Sequence, residues 1–407
     1  MRKMFILKGA PASGKSTLMK NLGLTDLAVG YDDARKLYSP ILNTADLEGS
    51  RAIGRAGEKL VTEFVHNCIR HRVDMGATVF VDCTCVTRSA QKPFNEIASK
   101  AGYEVIIVDV QGDLTDEELL ARNRKRGTEA VPDEVVIRMA ANHRKNENFG
   151  NPRVISPSDI MDELTTKPED FTGKKVIVVG DVQGCARQLN EMLAEEKTDD
   201  SIVVFAGDLF DRGPSNDGVM RTAASLGQQA RFVMGNHDEH LYRVKSREFS
   251  PSRFSQTRET ARQLANDGVS DKAIIKFLSR YVPVLIFTQG DEKYIVTHGG
   301  IDPGIIKETD SGYLTGVNAD REYIIGSSHA DNTYQYRGDY SSGTDERLSG
   351  YMENSGFTAQ FHGHRNPDNI AADAFPGVYS LESAVEDGGY LTTAIIESGS
   401  VRVRYDD

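Results

Sequence analysis

Short apolar runs recur along the chain, each closed by a glycine or a polar residue. In the first 150 residues they read as buried strands at 3–8, 78–82 and 103–110. Between them, apolar residues at helical spacing predict helices over roughly 15–22, 46–72, 116–126 and, after Pro132, 133–146. Strands alternating with helices predict a parallel α/β sheet. Residues 151–173 carry Pro152, Pro157 and Pro168 among polar residues without a sustained period. This predicts a linker over 153–173, with one domain at 1–152 and a second at 174–407. Beyond it the strand pattern restarts in KKVIVVGD (174–181), DSIVVFAGD (200–208), ARFVMGN (230–236) and KYIVTHGG (293–300). Each of these four strands ends in a residue able to bind a metal or a phosphate.

Composition narrows the class. A chain of 407 residues, 39% hydrophobic and 27% charged, is expected to fold as a soluble globular protein of two to three domains. No apolar run approaches the roughly 20 residues that span a bilayer. The basic, apolar N-terminus leads straight into a glycine-rich loop, so it reads as a first strand rather than a signal peptide. The four cysteines, Cys68, Cys83, Cys85 and Cys185, are too few and too badly spaced for a disulfide framework or a zinc site. They are expected as small buried thiols in a cytoplasmic protein. Net charge is −12, against a general nucleic-acid-coating protein. The charge is uneven: residues 1–172 hold 24 Lys and Arg against 25 Asp and Glu, net −1, which leaves −11 for the rest. The first half can hold a phosphate backbone locally, and the acidic second half suits divalent cations.

The loop GAPASGKST (9–17) matches G-x-x-x-x-G-K-[ST] between a predicted strand and a predicted helix. Its glycines let backbone N–H groups face an anion. Gly9, Ser13, Gly14, Lys15, Ser16 and Thr17 would cradle a nucleoside triphosphate, with Lys15 at the β/γ-phosphates and Ser16 on Mg²⁺. Two stretches concern the acceptor. YDDARKLY (31–38) offers Asp32, Asp33 and Arg35; ARNRKRGTEAVP (121–132) packs four cations into residues 122–126. A carboxylate can deprotonate an attacking hydroxyl, and a basic segment can close over the phosphates. With the VFVDCT strand ending in Asp82, residues 1–152 resemble the 5′-hydroxyl polynucleotide kinases of phage and bacterial end-healing enzymes. The resemblance implies Asp32 as general base, Arg35 on the acceptor phosphate, Arg122 and Arg126 as lid arginines on ATP, and Asp82 near the acceptor.

In the second half, strand ends supply Asp181 (GDVQG), Asp208 (GDLFDRG), Asn236 and His237 (GNHDEH), His298 (THGG) and His364 (FHGH) in that order. This order resembles the calcineurin-like metallophosphoesterases, a two-sheet sandwich flanked by helices. The resemblance lies near the protein serine/threonine phosphatases, the diadenosine tetraphosphatases and bacterial end-healing phosphatase modules. It implies two divalent cations, expected as Mn²⁺, bridged by Asp208. Asp181 and residue 183 would complete the first site, and Asn236, His298 and His364 the second. His237 would protonate the leaving group, Asp211 would orient it, and Arg212 would clamp the phosphate. His362 is expected as a neighbour, not a ligand. Where the family carries histidine, this chain has Gln183. A neutral amide oxygen is the poorer donor for transition metals, which favours harder cations and substrates of lower charge, diesters or 2′,3′-cyclic phosphates.

Together the halves predict a nucleic-acid end-healing enzyme, RNA before DNA, because cyclic phosphate ends arise only on RNA. It would phosphorylate 5′-hydroxyl ends with ATP and Mg²⁺ and clear 3′-phosphate or 2′,3′-cyclic phosphate. No ligase-like module follows, so sealing is expected to fall to a separate ligase. Three other readings remain at this stage. One is a protein or dinucleotide phosphatase whose P-loop domain senses ATP. Another has a small-molecule kinase in the first half. The third is a nucleotide-gated binding module with a decayed hydrolase.

Overall fold

The structure is a computed structural model that describes all residues except 1, 39–54, 128–129, 147, 247–254, 327–342 and 365–370. It divides into two compact units, Met1–Leu164 and Thr165–Asp407.

In the first unit the chain runs β1 (Lys3–Lys8), α1 (Lys15–Asn21), β2 (Ala28–Gly30), α2 (Tyr31–Tyr38), α3 (Arg55–Asp74), β3 (Val79–Asp82) and α4 (Arg88–Lys100). It continues through β4 (Glu104–Asp109), α5 (Asp116–Arg124), α6 (Asp133–Lys145), β5 (Arg153–Ile155) and α7 (Ile160–Leu164). The strands form one parallel sheet in the order β2-β3-β1-β4-β5. Central β1 is buried from Met4 to Leu7, because crossover helices cover both faces of a parallel sheet and every side chain meets a core. The predicted helix over 46–72 is observed as α3; residues 46–54 lie outside the described residues. α5 is closed by a capping box in which Thr115 and Glu118 satisfy each other's backbone N–H.

The boundary between the units falls inside the stretch expected as a linker. Its first part is structured: β5 pairs with β4, and Arg153 forks onto Glu163 within the same unit. Its last part belongs to the second unit, where β6 (Thr165–Thr166) and β7 (Glu169–Asp170) each join a sheet. Prolines and polar filler read as loop because two- and three-residue edge strands are too short to show a period.

The second unit continues with β8 (Val176–Val179), α8 (Ala186–Glu196), β9 (Ile202–Phe205), α9 (Asn216–Ser225), β10 (Ala230–Phe232), α10 (Asn236–Lys245), α11 (Ser255–Asn266) and α12 (Asp271–Leu278). Then come β11 (Val284–Gln289), β12 (Glu292–Thr297), β13 (Lys307–Thr309), β14 (Gly312–Leu314), α13 (Asp320–Ile325) and α14 (Gly343–Met352). The unit ends with β15 (Ala359–His362), β16 (Val378–Ser380), β17 (Leu391–Glu397) and β18 (Ser400–Asp406). Two five-stranded sheets, β10-β9-β8-β17-β18 and β16-β15-β12-β11-β7, face each other, and β13-β14-β6 make a small third sheet. Period-two alternation builds the layers. Val176 and Val178 point into the core between the sheets with Val204, Phe287, Tyr294 and Phe361, while Ile177 and Val179 pack beneath helices with Leu189, Leu241 and Phe277. β8, β9, β12 and β15 all end at one edge of this sandwich, and the polar strand-end residues therefore converge.

One cysteine expectation is corrected. Cys83 and Cys85 are joined as a disulfide, with Cα atoms 5.4 Å apart; Cys68 and Cys185 are free. Residues i and i+2 leaving a strand share a face, and the turn at Cys85, φ 40°, brings the two together.

Candidate active sites

β1 delivers the chain to Gly9. A side chain at Gly9 would place its Cβ 2.5 Å from Ser13 Oγ, and Gly14 sits at φ 106°, so both positions need glycine. The loop curls back on Lys15, whose buried ammonium donates to the carbonyls of Gly9 (2.9 Å) and Ala10 (3.1 Å). Burial lowers the Lys15 pKa to about 8; Asp82 resists that shift and Arg126 adds to it. Ser16 Oγ donates to Asp82 Oδ2 at 3.1 Å, and burial raises the Asp82 pKa. A hydroxyl and a carboxylate so placed fit a hydrated Mg²⁺. Thr17 is exposed on the first turn of α1. Arg122 Nη1 reaches the Ser13 carbonyl at 3.4 Å. The half-buried Arg126 follows α5, whose basic end therefore overlooks the loop.

Asp32 stands on α2, directly after β2. It accepts from Arg35 Nη1 at 2.7 Å, and Arg35 forks onto Glu58 through Nε (2.8 Å) and Nη2 (3.0 Å). Sequence reading missed Glu58. It lies on another helix 23 residues away, and no local spacing links the two.

In the second unit Asp181, Gln183, Asp208, Arg212, Asn236, His237 and His364 all line one cavity of about 290 Å³. His298 lies beneath it, fully buried. His298 Nδ1–H donates to the Ala206 carbonyl (2.9 Å), which leaves the Nε2 lone pair facing Asn236 Oδ1 (3.1 Å) and Asp208 Oδ2 (3.3 Å). Asp208, His298 and His364 each offer a ligand atom within 4.8 Å of the others. Gln183 donates its amide N–H to Asp208 Oδ2 at 3.2 Å, while its buried Oε1 has no hydrogen-bond partner. Burial, then Glu382 and Asp208, push the Asp181 carboxyl well above its ordinary range. The His298 Nε2 lone pair facing the oxygens of Asn236 and Asp208, and the buried Gln183 amide oxygen left over, are what divalent cations would satisfy. The residues present fit two such ions.

Close backbone approach makes this geometry. A Cβ at Gly363 would lie 1.9 Å from Asp181 Oδ1, and one at Gly235 would lie 2.2 Å from Asp208 Oδ1. The His364 N–H donates to Asp181 (3.3 Å) and the His237 N–H to Asp208 Oδ1 (2.9 Å). Asp238, its pKa raised to about 7 by burial and then by Asp208, accepts from Leu209 N (3.0 Å) and Gly235 N (3.3 Å). It ties the β9 and β10 loops together.

His237 Nδ1–H donates to Asp211 Oδ2 at 2.8 Å. Asp211 is fully buried and also accepts from Thr257 (2.8 Å) and Thr260 (2.6 Å), so the ring holds its orientation with Nε2 toward the cavity. Burial opposes the charged ring, yet the Asp211 bond and the Asp208 charge outweigh it and raise the His237 pKa. Arg212 Nη2 lies 3.3 Å from His237 Nε2, and its Nη1 is paired with Glu386. His362 turns away from the cavity, with Nδ1 3.0 Å from the Gly363 carbonyl and Nε2 3.4 Å from Asp345. Sequence reading missed Thr257, Thr260, Glu382 and Glu386. The signal for Glu382 was present, since it follows the end of β16 much as Asp181 and Asp208 follow β8 and β9.

Two family models match separate stretches of the chain. Residues 174–366 match the calcineurin-like phosphoesterase family, and residues 4–145 match an AAA domain family. A symmetrical bis(5′-nucleosyl)-tetraphosphatase of Vibrio cholerae is 34% identical over 128 residues, 31% of this chain and 44% of that protein. The Bordetella pertussis enzyme of the same name is 36% identical over 126 residues, 30% of this chain and 42% of that one. The chain thus spans less than half the length of these curated relatives. Among solved structures, a chain of the Pnkp1/Rnl/Hen1 RNA repair complex is 16% identical at a TM-score of 0.31, covering 57% of this chain and 78% of its own. A metallophosphoesterase from Sphaerobacter thermophilus is 16% identical at 0.35, covering 57% and 88%. Likeness this low carries no functional argument. Sequence family and site geometry lead to one statement: residues 4–145 form a P-loop domain of AAA, kinase-like type, residues 174–366 form a calcineurin-like phosphoesterase domain, and a single chain carries both.

Proposed function

We propose that the protein heals nucleic-acid ends, RNA in the first place. It would phosphorylate a 5′-hydroxyl with ATP and remove a 3′-phosphate or 2′,3′-cyclic phosphate. The observation that carries this reading is the Asp32–Arg35–Glu58 constellation in the same unit as the phosphate loop. A domain that only sensed ATP would need the loop but no second set of phosphate-handling groups. In the kinase step Asp32 takes the proton of the attacking hydroxyl, and the γ-phosphoryl group passes to that oxygen as its bond to ADP breaks. Arg35, held by Glu58, grips the acceptor's own phosphate. Lys15, Arg122 and Arg126 offset charge on the transferring group. Ser16 and Asp82 would hold Mg²⁺, which would supply positive charge to offset that of the phosphates.

In the phosphoesterase step Asp181, Gln183, Asp208, Asn236, His298 and His364 would hold two divalent cations, which would supply Lewis acidity for the attack of water on phosphorus. His237, held through Nδ1 by Asp211, gives its Nε2 proton to the departing alkoxide. Arg212 donates to the phosphate oxygens.

A second reading has one specific support: the tetraphosphatase relatives at 34–36% identity. In it the phosphoesterase unit cleaves dinucleoside polyphosphates. One experiment separates the two. A short RNA with a 5′-hydroxyl and a 2′,3′-cyclic phosphate is incubated with the protein, ATP, Mg²⁺ and Mn²⁺, beside a parallel sample of diadenosine tetraphosphate. Gain of a 5′ phosphate and loss of the cyclic group, read by intact mass, is the expected result. An unchanged RNA with rapid cleavage of the dinucleotide would overturn end healing.

A further inference from the structure

Arg212 is not free to act as a full phosphate clamp. Its Nη1 pairs with Glu386 Oε1, and Nη2 alone turns to His237 and the cavity. The Glu386 side chain is only 3% exposed, and its other oxygen is buried without a hydrogen-bond partner. A carboxylate so placed depends on the guanidinium for compensation, and parting a buried pair leaves one charge stranded. The loop holding Glu386 is itself fixed: Ala384 sits at φ 50°, the Ala384 carbonyl accepts from Asp387 N (2.9 Å) and Gly389 N (3.0 Å), and a Cβ at Gly389 would lie 1.7 Å from the Ser383 carbonyl.

An arginine clamp favours a dianionic terminal phosphate through its charge and its forked donors. Here one prong is taken and the charge is balanced inside the protein. Two further features lower the positive character of the same cavity. Glu382 lines it beside Asp181, and Gln183 puts a neutral amide at the first cation position. We propose that Glu386, acting through Arg212, is a specificity-determining residue that turns this site toward monoanionic phosphodiesters, cyclic phosphates included, and away from dianionic phosphomonoesters. The proposal rests on the reading of the second unit as a phosphoesterase in which Arg212 faces the phosphate.

The test uses the full chain with Mn²⁺, a phosphodiester (bis-p-nitrophenyl phosphate) and a phosphomonoester (p-nitrophenyl phosphate). The unaltered protein is expected to show the higher kcat/KM on the diester. Glu386→Gln keeps the shape and removes the charge. It is expected to raise monoester kcat/KM relative to diester by about tenfold, the scale of one hydrogen bond to a charged group. Calorimetry with inorganic phosphate is expected to show tighter binding by a similar factor. In an Arg212→Ala background the Glu386→Gln effect should vanish, because it is transmitted through that side chain. An unchanged ratio and unchanged phosphate affinity in a folded variant would overturn the proposal. So would a preference of the unaltered protein for the monoester, which needs no variant at all. Failure to hydrolyse either compound would overturn the phosphoesterase reading itself, and the inference with it.

Discussion

Gln183, Asp208, Asp211, Arg212 and His364 all lie at positive φ, between 47° and 81°. Side chains other than glycine rarely adopt this region, and each instance costs on the order of 1–3 kcal/mol. Four that line one cavity, and Asp211 buried behind His237, mean that the surrounding backbone imposes them, with glycines at the points of closest approach. Gly363→Ala should therefore displace Asp181. The expected outcome is a loss of stability of about 1–3 kcal/mol and a fall in Mn²⁺ affinity of roughly tenfold or more. Calorimetric titration with Mn²⁺ checks it, and full affinity in the variant would show that this approach does not place Asp181. In the first unit Glu58→Gln should loosen the fork on Arg35. An acceptor KM raised by roughly tenfold with little change in ATP KM is expected in an oligonucleotide kinase assay. Equal effects on both substrates would remove Glu58 from the acceptor side. Asp32, Arg35 and Asp82 could be picked out as candidates because Asp32 opens a helix straight after a strand, Arg35 follows it three residues later on the same helix, and Asp82 ends a strand. Glu58 was not, because only tertiary packing brings α3 onto α2.

At the scale of elements, the end of α8 is held by charge. Glu196 accepts from Lys175 (2.7 Å) and Arg404 (3.1 Å), and Arg402 pairs with it too. Burial opposes its ionisation, but these three partners outweigh burial and hold its pKa at about 2. A carboxyl depressed in the folded state adds stability above its ordinary 4.5, and that stability is lost as pH falls through about 2. Glu196→Gln should cost about 1–3 kcal/mol at pH 7, and the gap to the parent should close between pH 4.5 and 2. Urea unfolding at stepped pH reads this out; a gap independent of pH would contradict it. The second element-scale prediction concerns the end of β3. Thiol titration of the unfolded chain should find two reactive groups, Cys68 and Cys185, and four after reduction. Four without reductant would mean that Cys83 and Cys85 are not paired. The turn containing them matters to the neighbouring site, since the Thr84 carbonyl accepts from Gly9 N at 3.0 Å.

For the whole molecule, the division at Leu164 and Thr165 predicts that fragments 1–164 and 165–407 each fold alone. Separate calorimetric scans should each show one cooperative transition, and a fragment that melts without one would refute the division. What the sequence determined by itself was everything carried by short spacing. The glycine-rich loop, the strand-end aspartates and histidines, and the alternation that layers the sandwich are local patterns. Backbone geometry turns such patterns into elements with little help from the rest of the chain. Tertiary structure decided the remainder: where the expected linker divides, which glutamate holds Arg35, how Asp211 and two threonines orient His237, and that Glu386, 174 residues further on, sits against Arg212. Those contacts join residues with no common period, and only the folding of distant loops onto one sheet edge creates them.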